Sequence, residues 1–164
     1  MKNMKPIHAI AVFDTKKIKG TVKFSEDFEN KKIIIEINIS GLKPNVLQGM
    51  HIYETGDLSD NFDNLGGHFN PYRKKHGCSG MTHRHVGDLD NIITDNKGVA
   101  RYFFDDDLIK LRGTKANIIG RALVIHENKD DHGKGDNEES KKTGNSGKII
   151  ACAIIGYSKE NYKL

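Results

Sequence analysis

The stretch Lys31-Lys32-Ile33-Ile34-Ile35-Glu36-Ile37-Asn38-Ile39-Ser40 decides the fold class. Ile33, Ile35, Ile37 and Ile39 alternate with Ile34, Glu36 and Asn38. Successive side chains on an extended chain point to opposite faces, so a period of two describes a strand with one buried face. Shorter strand-like runs precede it at Ile7–Phe13 and Lys19–Phe24, and others follow at Met50–Glu54, Val99–Phe104, Arg121–His126 and Lys148–Tyr157. Turn signals lie between them: Gly20, Gly41 with Pro44, Asp95–Gly98 and Gly144–Gly147. No window carries a capped apolar stripe of helical period. Many short strands joined by turns predict an all-β sandwich or barrel.

A length of 164 residues fits one domain, 1–164, with 1–6 and 159–164 as solvated tails. Lys and Arg total 26 against 22 Asp and Glu, a net charge of +4 with both signs interleaved, which nominates no nucleic-acid partner. No apolar run approaches the roughly 20 residues that span a bilayer, and Met1–His8 lacks the apolar segment of an export signal. The expectation is a cytoplasmic protein that is not exported. Cys78 and Cys152 cannot build a disulfide framework, and two free thiols are the plainer reading.

Two long segments break the strand rhythm. Gly56–Arg84 is rich in Gly, Asn, Asp and His, and Glu127–Ser146 in charges, glycines and small polar residues. Composition reads the second as a solvated flexible loop. The first leads into His68, His76, His85 and Asp88, spaced H-x7-H-x8-H-x2-D. Three imidazoles and a carboxylate suit a closed tetrahedral zinc site, which would pin the loop. His51 and Tyr53, at i and i+2, share one strand face, and His126 ends another strand.

Several motifs together resemble the copper/zinc superoxide dismutase family. They are Gly49-Met50-His51-Ile52-Tyr53-Glu54-Thr55-Gly56-Asp57, Gly67-His68-Phe69-Asn70-Pro71, Lys75-His76-Gly77, Arg84-His85-Val86-Gly87-Asp88-Leu89, Ile119–Glu127 and Gly133–Ser140. The resemblance runs in order from about Ala9 to Gly156. It implies an eight-stranded Greek-key, Ig-like barrel with long zinc and electrostatic loops. It implies zinc on His68, His76, His85 and Asp88, with His68 bridging to copper. It further implies Asp130 as the carboxylate tying His51 to His76, and Glu138, Glu139 and Lys142 as the electrostatic loop.

Three positions depart from the family pattern. Tyr53 stands where the family has a copper-ligating histidine, leaving His51, His68 and His126 as a vestigial copper set. Ile149 stands where it has the active-site arginine. Lys148 beside it is expected to point elsewhere, because strand neighbours face opposite ways. Cys152 matches half of the family disulfide, whose other half is Phe62 here, so Cys152 is expected to be unpaired.

These departures predict a catalytically inactive homologue that keeps one zinc and binds copper weakly or not at all. Such a protein would be a decoy similar to the dismutase-like proteins of poxviruses, in host cytoplasm and virion. Its partner would be a copper chaperone or a dismutase subunit, met through Thr55, Gly56, Ile119, Gly120, Ile154, Gly156 and Tyr157, with a homodimer as another option. The competing expectation is an active copper/zinc dismutase that tolerates Tyr53 and Ile149.

Overall fold

In a computed structural model describing residues 4–162, the alternating segment becomes strand β3, Lys32–Ser40. Ile33, Ile35, Ile37 and Ile39 are buried, and Glu36 and Asn38 face out. Each fully buried isoleucine contributes about 1.5–3 kcal/mol to the core.

The other strands are β1 (His8–Asp14), β2 (Lys19–Asp27), β4 (Leu47–Ile52), β5 (Asp88–Ile93), β6 (Ala100–Asp106), β7 (Ala122–His126) and β8 (Ile149–Tyr157). All pair antiparallel in the order β5-β4-β7-β8-β1-β2-β3-β6. The end strands β5 and β6 approach each other, and the Tyr102 hydroxyl accepts a hydrogen bond from Ile93 N across the gap. The sheet is an eight-stranded barrel that is nearly closed. Phe13, Phe24, Met50, Ile52, Leu89, Leu123, Ile125 and Ile155 fill it with the β3 isoleucines.

Strand β5 begins inside the last histidine motif, and its buried Leu89 and Ile92 stand three positions apart, so no alternation marks it in the sequence. The segment 127–146, expected to be a flexible solvated loop, is ordered by polar contacts and carries a short helix, α1 (Glu138–Thr143). Asn137 caps α1 by accepting from Ser140 N, and Gly144 ends it in a left-handed conformation at φ 70°. Ser140, Ser146 and Asp130 are buried beneath this segment. The chain from Lys159 to Tyr162, read as part of a tail, forms a 3-10 turn. His8 N donates to Asn161 Oδ1, and Asn161 Nδ2 donates to His8 O, each at 2.7 Å, which docks the turn on β1. The remaining tail residues 1–3 and 163–164 lie outside the described residues.

Candidate metal centre

Strands β5, β4, β7 and β8 are neighbours, and their antiparallel pairing sets Asp88 opposite His51 and Ile149 opposite His126. Asp88 opens β5, Tyr53 follows β4, His126 closes β7 and Ile149 opens β8. Met50 and Ile52 point into the barrel, so His51 and Tyr53 point outward beneath the long loops. The register shifts between Gly49 and His51 on β4 and between Ile125 and His126 on β7. Bulges of this kind re-aim side chains beside functional sites.

The segment 66–87 brings His68, His76 and His85 against Asp88. Nδ1 of His68 and of His76 each lies 3.0 Å from Asp88 Oδ1, and Nδ1 of His85 lies 3.2 Å from it. Nδ1 of His85 is 3.4 Å from that of His68. A tetrahedron with bonds of about 2.0 Å has edges of about 3.3 Å, close to these four separations. The second Asp88 oxygen accepts from Gly77 N at 3.0 Å and His85 N at 2.9 Å, which leaves Oδ1 for the metal. Burial pushes Asp88 up, but the three histidines outweigh it and hold the carboxyl below its usual range.

Asp130 joins this group to a second one. Its oxygens lie 2.8 Å from His76 Nε2 and 2.7 Å from His51 Nε2. A carboxylate accepts from N–H, so both Nε2 atoms carry a proton and a metal would bind at Nδ1, in His76 by displacing the second proton of the charged ring. Burial lowers His76, yet Asp130 and Asp88 overcome it and raise the imidazole to about 9. His51 has only one such carboxylate, and burial with His68 nearby lowers it to about 3. Gly144 is required here, because a Cβ would collide with the Asp130 carboxylate and the His76 ring.

On the outer side, the His51 and His68 rings stack with centroids 3.9 Å apart. His51 Nδ1 and His68 Nε2 are buried and have no hydrogen-bond partner. His126 Nδ1 is 2.9 Å from Gly147 O, so its N–H donates there and Nε2 keeps its lone pair. Burial lowers His126 to about 4. Orphaned buried imidazole nitrogens are costly unless something binds them. Three neutral nitrogens suit copper, which favours imidazole.

Tyr53 joins this outer group, with its hydroxyl 3.3 Å from His126 Nε2. Burial, with Cys152 and Glu139 nearby, raises the phenol to about 12, so it is a neutral donor and not a phenolate.

Tyr53, His126, Glu139, Thr143, Lys148 and Ile149 line an open depression of about 530 Å³. Lys148 was expected to point away from it. It precedes β8 at the register shift, where strict alternation does not apply, and it stands at the mouth beside Ile149. Glu138, Glu139 and Lys142 are exposed on α1, and Glu139 reaches the mouth.

Cys152 and Cys78 are both free. Phe62 packs with Cys152 in a small cluster around Tyr53, Leu65, Ala122 and Val124. Apolar packing therefore holds the segment 56–66 at this point. Burial pushes the Cys152 thiol up to about 11, which makes it unreactive.

The model of the family "copper/zinc superoxide dismutase" matches residues 18–155. This chain belongs to the copper/zinc superoxide dismutase family. It is 54% identical over 158 residues to the superoxide dismutase [Cu-Zn] of Paramecium bursaria Chlorella virus 1, covering 96% of this chain and 82% of that relative. It is 46% identical over 139 residues to the Saccharomyces cerevisiae superoxide dismutase [Cu-Zn], covering 85% and 90%. The crystal structure of the clock protein EA4 superposes with a TM-score of 0.88 at 42% identity, covering 96% of this chain and 99% of that one.

These relatives overturn the expectation of an inactive, non-enzymatic decoy, because proteins this similar are named as dismutases. The expectation that copper is absent or weakly held fails with it: the family implies both metals, and the outer histidine nitrogens are arranged for one. The relatives lend no support to a degenerate poxvirus-like protein, to a place in host cytoplasm or virion, or to a chaperone or heterodimer partner. Among the described residues, no helix is long and apolar enough to cross a membrane.

Proposed function

We propose that this chain is an active copper/zinc superoxide dismutase, converting superoxide to oxygen and hydrogen peroxide. Zinc sits on His68, His76, His85 and Asp88, and copper on His51, His68 and His126. The observation that carries this reading is the pair of buried, unpartnered nitrogens, His51 Nδ1 and His68 Nε2, beside His126 Nε2.

Bound copper supplies the one-electron chemistry. His68 turns Nδ1 toward the zinc set and Nε2 toward the copper set, so its ring orientation is fixed from both sides. Asp130 holds His51 and His76 in the tautomers that ligation needs. Lys148 gives the mouth the cationic group that draws in an anion. Before copper takes that lone pair, the neutral Tyr53 hydroxyl donates toward His126 Nε2 at the floor of the mouth.

A second copy of the chain is the partner this family commonly takes. Ile154, 37% exposed, and Tyr157, 53% exposed, support a pairing face with Thr55, Gly56, Ile119, Gly120 and Gly156.

The test is metal content and dismutase activity on one sample loaded with zinc and copper. About one zinc and one copper per chain with turnover is the expected result. His126→Ala should lose copper and activity while keeping zinc. Full copper loading without turnover would overturn the proposal.

A further inference from the structure

Cys78, Asp90 and His132 form a second group of metal-ligating side chains outside the centre described above. One donor atom from each lies within 4.8 Å of the other two. Each stands two positions beyond a residue of the main centre: His76, Asp88 and Asp130. The three come from the segment 66–87, from β5 and from the segment 127–146, and they meet on the outer side of the zinc ligands.

The donors are held in place and are free to bind. Asp90 Oδ1 accepts from Ser79 N at 2.8 Å, which leaves the other oxygen available. Asn91 Nδ2 donates to Asp130 O at 3.0 Å, and Asp130 N donates to Asn91 Oδ1 at 2.7 Å, fixing β5 against the segment that carries His132. His132 Nδ1 is buried without a hydrogen-bond partner, and its Nε2 lies 3.4 Å from Asn91 Nδ2, a long contact that a metal at this ring displaces. The Cys78 thiol is unpaired. Of the three, Asp90 also lines an open depression of about 250 Å³ with Ser79, Asn91 and Tyr102.

We propose that Cys78, Asp90 and His132 form an accessory zinc site, open at its fourth position, that clamps the two long loops to β5. A thiolate and an imidazole exclude magnesium and calcium, which take oxygen ligands. A carboxylate oxygen disfavours Cu(I), which prefers sulfur and nitrogen. Zinc accepts all three donor types in a tetrahedron. The thiol proton leaves to solvent as sulfur binds, and no redox change is involved. The clamp ties down the histidine-bearing loop of a chain in which Phe62 replaces one half of the family disulfide.

Cobalt(II) serves as the probe, added to full-length protein given only one zinc and one copper per chain, so that the accessory site starts empty. The main centre contains no thiolate, so a thiolate-to-cobalt charge-transfer band in the near ultraviolet reports on this site alone. The expected result is that band, saturating at about one equivalent. Cys78→Ser should abolish it, and His132→Gln should weaken cobalt binding by about tenfold or more, as losing a ligand does. Cys152→Ser should leave it intact. On separate samples given excess zinc and no cobalt, native mass spectrometry should count one more zinc per wild-type chain than per Cys78→Ser chain. No band, a band that survives Cys78→Ser, or a band lost in Cys152→Ser would overturn the site. Unchanged zinc and copper content at the main centre of each variant shows that it has folded.

Discussion

The Tyr53 hydroxyl lies 3.3 Å from His126 Nε2, the one nitrogen of that ring not engaged by Gly147. Tyr53 thus touches the outer histidine group through a single neutral hydrogen bond, at a position where the family places an imidazole. Burial, with Cys152 and Glu139 close by, keeps the phenol protonated to about pH 12. Tyr53→Phe removes a bond of about 1 kcal/mol, which bounds the change in copper affinity at about fivefold. Copper-loaded protein should show no phenolate-to-copper band between pH 6 and about 10. Such a band in wild type, absent from Tyr53→Phe, would make the phenolate a ligand.

Asp130 touches neither metal position yet holds His51 at 2.7 Å and His76 at 2.8 Å. One substitution there disturbs both groups. Asp130→Asn presents an amide that accepts through one atom only, so it cannot serve two N–H donors equally. Affinity for zinc and for copper should each fall about 10–100-fold, the usual effect of losing such a partner. Chelator competition for both metals on one sample checks this. A loss confined to one metal would mean that the two histidines are oriented independently.

The barrel was legible because β3 is so regular and because one side of the sheet buries apolar groups. Strand β5 was not, since Asp88 and Asp90 are there for chemistry and for contacts with the segment after His76. Helix α1 has six residues and no apolar stripe. Its signal was in its ends: Asn137 before Glu138 and Glu139, then Lys141, Lys142 and Gly144. The spacing of His68, His76, His85 and Asp88 was legible as a candidate ligand set. Asp130 was not, because nothing local links it to His51 across 79 positions. Lys148 lines the mouth beside Ile149 because it adjoins a register shift that only the β7–β8 pairing reveals.

Without metal, the histidines set how stability depends on pH. His51 is lowered to about 3 and His126 to about 4, against 6.5 for a free imidazole. The unfolded chain therefore binds more protons at these positions between pH 6.5 and about 4, and stability falls as pH drops through that range. His76 is raised to about 9, so its contribution is complete below 6.5 and disappears as pH rises through about 9. Thermal melts of chelator-treated protein should show a maximum near pH 6.5–7. A Tm that climbs steadily from pH 6.5 down to 4 would contradict this assignment.

Arg84 is buried between the histidine loop and β6. Its Nη2 donates to Asp106 Oδ2 at 2.5 Å and its Nη1 to Asp88 O at 2.8 Å. The other Asp106 oxygen accepts from Leu108 N and Ile109 N. Removing one member of a buried pair strands the other charge, at a cost of about 3–5 kcal/mol. Arg84→Ala should lower Tm by about 6–20 °C, since each kcal/mol is about 2–4 °C in a chain of this size. Calorimetry on metal-loaded protein measures it. A shift under about 2 °C would mean that water or a neighbouring cation satisfies Asp106.

Lys148 and Ile149 share the mouth with His126, and Lys148 alone brings a positive charge to that lining, against Glu127 and Glu139. If it draws in the anionic substrate, its effect belongs to encounter and not to chemistry. Lys148→Ile should then lower kcat/KM several-fold, and Lys148→Glu by about tenfold or more at low salt. Both differences should shrink as salt rises, because screening shortens from about 10 Å at 0.1 M to about 3 Å at 1 M. Ile149→Arg, which adds a second cation at the same mouth, should shift kcat/KM in the opposite direction with the same salt dependence. Stopped-flow assays at graded ionic strength separate the cases. A Lys148→Glu loss that stays constant from low to high salt would place this side chain in a local structural role, since a contact that holds the mouth in shape is not screened as a long-range field is.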